Sequence, residues 1–142
     1  MVLVAAVTSA CAGPETASDQ PAAQPGAGMG VRVLVRDMNL RPEGVDCAGA
    51  GPYLYLHRSA PFEVRDGGGA ALARGELPSG TSVRALPEDL GVDRIPTFCQ
   101  FTFSVTVPDR TGYQLVVDDA APIDLAVNRD DPASPILVGV IP

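Results

Sequence analysis

From Val31 onward, apolar and polar residues alternate with a period of two, as they do in strands that bury one face. In residues 31–36 the three valines share a face. Residues 62–65 alternate as well, and Asp66-Gly67-Gly68-Gly69 predicts a tight hairpin turn with residues 70–77 as the returning strand. The clearest strand is 98–107. There Cys99, Phe101, Phe103, Val105 and Val107 point one way and Gln100, Thr102, Ser104 and Thr106 the other. Residues 108–112 turn the chain into a strand at 113–117, and 123–127 is a weaker candidate. Residues 136–141 are apolar on both faces, which places them centrally or beneath a loop. The stretch 78–96 reads as a long connection with three prolines and room for one helical turn around 87–90.

No helix-period run exceeds about two turns, and Gly (15) and Pro (14) are frequent enough to favour short strands and turns. The predicted fold is all-β: an antiparallel two-sheet β-sandwich, Ig-like or C2-like, with about six to eight strands over residues 31–142. A small Greek-key barrel is the alternative.

Residues 1–11 follow different rules. An uncharged apolar run ends in Ser9 and Ala10 directly before Cys11. The Val7-Thr8-Ser9-Ala10-Cys11 stretch resembles the lipobox of bacterial lipoproteins, in which the cysteine sulfur is acylated and then becomes the new terminus. Thr8 stands where Leu is usual, and no basic residue precedes Arg32, for which one explanation is a start codon further upstream. Residues 1–10 are read as part of a signal peptide, Cys11 as the lipidation site, and 11–30 as a disordered Pro/Ala/Gly-rich tether too poor in bulky apolar side chains to fold. The membrane is thus an expected partner through Cys11, and the location is extracytoplasmic, membrane-anchored or secreted.

Charge narrows the choice of partners. A net charge of −7 and pI of about 4.4, with no Lys and no basic cluster, argue against nucleic acid, because nothing is present to displace counterions from phosphates. Envelope protein, glycan or small ligand remain as partners of a monomer.

With Cys11 assigned to lipid, Cys47 and Cys99 form an even pair, and in an oxidising compartment a disulfide between them is expected. His57 is the only histidine, so a multi-imidazole metal site is impossible and any Ser-His-Asp apparatus would run through this one residue. Asp109, Asp118, Asp119, Asp124, Asp130 and Asp131 gather late in the chain. They fit either a Ca²⁺ site between loops or ordinary turn chemistry, and their spacing matches no EF-hand. Gly67-Gly68-Gly69 lacks the Lys-Ser/Thr of a phosphate loop. Tyr53 and Tyr55 suit either an exposed recognition patch or half-buried core positions. No cofactor motif is present.

A cysteine in a Gly-rich loop (Cys47), a hairpin running from Val64 to Leu77, and a second cysteine opening a Phe/Val strand (99–108) together resemble a domain of exported actinobacterial lipoproteins. The absence of Lys accompanies that resemblance. It covers residues 31–118 and implies a scaffold and export, without an activity. The expected function is therefore a lipid-anchored envelope binding or structural module without catalysis. Its rival is a small secreted hydrolase, or a Ca²⁺-dependent protein, using His57 or the late aspartates.

Overall fold

A computed structural model describes residues 26–142. Nine strands occur among the described residues: β1 Ala27–Arg41, β2 Asp46–Cys47, β3 Pro61–Asp66, β4 Ala71–Glu76, β5 Gly80–Arg84, β6 Ile95–Val107, β7 Tyr113–Val117, β8 Ile123–Asn128 and β9 Ile136–Ile141. The only regular helix described is a 3₁₀ turn at Gly51–Tyr53. The all-β expectation is met.

The sheet itself departs from the expected sandwich. Hydrogen bonding runs without a break in the order β2-β5-β6-β1-β9-β8-β7-β3-β4, so one sheet replaces two separate ones. It is also mixed, because β1 and β9 pair in parallel from Gly30↔Ile136 to Val35↔Ile141 while every other pairing is antiparallel. The sheet curls on itself. Phe62 on β3 and Phe103 on β6 lie five strand spacings apart in the ladder, which would put about 24 Å between them in a flat sheet. Their ring centroids are 4.5 Å apart. Gly75 makes this possible locally, since a Cβ there would stand 2.8 Å from the Phe62 ring.

The core fills the inside of the curl. Met29, Val31, Val33 and Val35 of β1 point inward beside Phe101, Val105 and Val107 of β6, and meet Val64, Leu115, Val117, Leu125 and Leu137 from the opposite wall. Alternation on β1 and β6 thus buries the predicted faces, Phe103 only partly. Strand β1 begins at Ala27 and so takes up the last four residues of the stretch assigned to the tether, because Met29 extends the inward valine series. The rest of that stretch before Gly26, and Cys11 with it, lies outside the described residues. Strand β9 sits between β1 and β8, in the middle of the ladder, as its two-faced apolarity predicts.

The 78–96 connection is where local reading falls short. It contains β5, and bends replace the helical turn expected at 87–90. Strand β5 carries small residues inward, Gly80 and the buried Ser82, so it lacks an apolar alternation. The space above it is taken by the Cys47–Cys99 bridge and Phe101: a Cβ on Gly80 would meet Cys99 Sγ at 2.5 Å, the Cys47 carbonyl at 2.8 Å and the Phe101 ring at 3.0 Å.

The β3–β4 hairpin forms as predicted. Asp66 accepts hydrogen bonds from the Gly68 and Ala70 amides, and Gly69 takes the left-handed conformation (φ 87°) that closes the turn.

Candidate functional site

Two poles follow from the register. The antiparallel pairing of β1 with β6 sets Ala27 opposite Val107 at one pole and Arg41 opposite Ile95 at the other. At the Ala27 pole the chain leaves β6 through residues 108–112, and Tyr113 clamps that exit. Its buried hydroxyl donates to the Pro108 carbonyl (2.9 Å) and accepts from the Arg110 amide (2.9 Å). This is a tyrosine corner, a device of β-sandwich crossovers.

At the Arg41 pole, β1 bulges between Val35 and Asn39, and Met38 has φ 50°. The bulge turns Asp37 inward, where its carboxylate is 2 % exposed and pairs with Arg41 at 2.7 Å. The Asn39 side chain donates to the same carboxylate at 3.0 Å. Buried Thr97 on β6 donates to the Asn39 carbonyl (3.0 Å) and accepts from Arg41 (3.3 Å). Arg41 also reaches the Ala48 carbonyl, next to the disulfide (3.4 Å). Burial pushes the Asp37 carboxyl upward, but the hydrogen bonds from Arg41 and Asn39 and the Arg41 charge outweigh it and hold the group below the usual carboxylate value. This network ties the bulge to β6 and to the Cys47 loop, so its role is to hold backbone in place.

Around the network the pole is apolar. Eight large hydrophobic side chains are exposed among the described residues, and six of them lie here: Met38, Leu40, Val45, Leu86, Leu90 and Val92. The loop between β5 and β6 is bound to the bulge through Arg94, which donates to the Leu40 carbonyl at 2.9 Å. Arg84 joins that loop to the 43–45 turn, pairing with Glu43 at 3.4 Å and donating to the Glu88 carbonyl at 2.9 Å. No pattern in the linear chain announced this patch, because its members come from two stretches, 38–45 and 86–92, more than forty residues apart.

Cys47 and Cys99 are bonded, as expected. Cys99 is fully buried and the two Cα atoms are 5.9 Å apart, whereas β2 and β6 flank β5 and would stand about 9.6 Å apart in a flat sheet. The bridge therefore folds β2 over the start of β5.

The residues of the rival reading are dispersed. His57 is exposed, and its Nδ1 faces the Arg58 carbonyl at 2.8 Å. Asp118 and Asp119 form a turn with positive φ at both positions, closed by the Ala120 amide on the Val117 carbonyl. Asp124 accepts from Gln114, Asp130 pairs with Asn128, Asp131 caps the Ala133 amide, and Asp109 stands 4.0 Å from Arg129. Among the described residues no three His, Cys, Asp or Glu side chains converge as metal ligands.

Tyr53 and Tyr55 are half-buried and pack on the core, and the Tyr53 hydroxyl donates to the Pro142 carbonyl. Burial and the neighbouring Tyr53 push the Tyr55 hydroxyl above its usual value. An open depression beside β3 collects Glu63, Arg65, Arg74, Asp118 and Asp119. There the hydrogen bonds from Arg65 and Arg74 draw the Glu63 carboxyl below its usual value.

No protein-family model, curated protein or solved structure matches this chain.

Proposed function

We propose that this protein is a non-catalytic module of the bacterial cell envelope, held at the membrane by lipid on Cys11 and oxidised outside the cytoplasm. The Cys47–Cys99 bridge carries the reading: it is buried against the core, and disulfides of that kind are rare where glutathione and thioredoxin keep thiols reduced. The lipobox-like residues before Cys11 and the likeness to exported actinobacterial lipoproteins supply the anchor. The two walls of the curled sheet, with the tyrosine corner at their crossover, support an Ig-like sandwich as its relative in architecture. Fourteen residues lie between Cys11 and Gly26, and the 15 spacings reach at most about 54 Å, enough for an anchored domain to stand clear of the bilayer.

Intact-mass measurement of the protein from its native membranes, before and after reduction, tests this. The expected result is a diacylglyceryl-bearing chain that begins at Cys11 and gains two hydrogens on reduction. An unacylated chain with free thiols in the cytosol would end the proposal.

A further inference from the structure

We propose that the apolar Arg41 pole is an isologous interface, and that its occupant is a second copy of this chain. The exposed fractions of Met38, Leu40, Val45, Leu86, Leu90 and Val92 amount to roughly 500 Å² of apolar surface, the size of a functional patch on a monomer. Paired with its own copy, that surface and its polar rim exceed the ~1,000 Å² a specific interface requires. Two-fold pairing also demands a self-complementary rim. This rim has both signs: Arg36, Arg84 and Arg94 stand among Glu43, Glu88, Asp89 and Asp93.

A bilayer suits the pole less well. The carboxylates of the rim outnumber its guanidinium groups, which gives anionic headgroups no attraction, and no Trp or Tyr stands among the six apolar residues to anchor at an interface. The patch is also held in shape before binding. The Asp37–Arg41–Thr97 network fixes the bulge, and Arg94 and Arg84 fix the loops, so little ordering opposes association. The inference stands on the folded domain alone and is independent of the lipid at Cys11. It replaces the monomer expected from the sequence with a dimer whose Ala27 poles lie at the far ends.

Sedimentation equilibrium of the full chain carrying Cys11→Ser, over micromolar to millimolar concentrations, tests it. The mass is expected to rise from the 14.6 kDa of one chain to twice that value. Leu40→Glu with Val92→Glu should weaken association by at least ~100-fold, because each charge enters a two-fold interface twice. Both positions are more than half exposed, so the melting temperature of the variant monomer should hold, and Val92→Glu alone serves if the pair misfolds. Leu54→Glu, exposed elsewhere, should leave association intact. A parent that stays monomeric overturns the proposal, as does association that survives the pole substitutions or is lost equally in Leu54→Glu. Cosedimentation with phosphatidylglycerol vesicles that the pole substitutions abolish would assign the pole to a bilayer and overturn it too.

Discussion

Replacing Cys47 with alanine isolates what the disulfide does for stability. Cys47 is half-buried while Cys99 is fully buried, so Cys47→Ala breaks the bridge and leaves the Cys99 sulfur filling its place in the core. The bridge closes a loop over a sequence separation of 52, and in the chain-entropy account such a loop stabilises the folded state by about 4 kcal/mol at 25 °C. That is a large share of the roughly 5–15 kcal/mol that holds a domain of this size. Urea denaturation, with fluorescence or circular dichroism as the signal, would read it as a fall in the transition midpoint. The slope of free energy on urea should also rise, because an unbridged unfolded chain exposes more surface. In a thermal melt the same change corresponds to about 15 °C. Adding Cys99→Ala should cost only about 1 kcal/mol more, for the small cavity left by one sulfur. A loss below about 1 kcal/mol for Cys47→Ala, with the slope unchanged, would refute the claim that the bridge acts by restricting the unfolded chain.

Three further perturbations probe the frame. Gly80→Ala should destabilise by about 2 kcal/mol or more, since its Cβ would collide with Cys99 Sγ and the Cys47 carbonyl, and chemical denaturation would detect it. Tyr113→Phe leaves the Pro108 carbonyl and the Arg110 amide without their partner and should cost about 1–3 kcal/mol by the same measurement, with faster amide exchange at Arg110. Asp37→Ala strips the buried carboxylate from Arg41 and should cost about 3 kcal/mol at neutral pH. The Asp37 carboxyl titrates lower in the folded state than unfolded, so its contribution is present above its ordinary value of 3.8 and is lost as pH falls through the folded value. The gap between the melts of parent and variant should therefore narrow as pH falls below 3.8, and a constant gap would contradict the assignment.

Much of the fold was legible because it is local. The valines of β1, the Cys99-to-Val107 face of β6 and the Asp66–Gly69 turn each follow from side chains two to four positions apart, and all three formed as read. The Cys47–Cys99 pair followed from counting cysteines, together with an inward position for Cys99. The Tyr113 clamp left a weaker trace, a tyrosine just after a Pro-Asp turn, whose meaning depends on the crossover. Strand β5 left none, because its inward residues are small to make room for sulfur and an aromatic ring supplied from elsewhere.

What the amino-acid order determined alone was which segments extend, which face of each turns inward and where the chain reverses, since alternation, turn chemistry and backbone preference act over a few residues. Tertiary structure decided which strands are neighbours. Backbone hydrogen bonds are the same for every residue pair, so nothing in β1 or β9 announces their parallel union, nor the single curled sheet that results. The apolar pole belongs to that second class: residues 38–45 and 86–92 become one surface only when β1 and β6 lie side by side and the loops between them close over the same end.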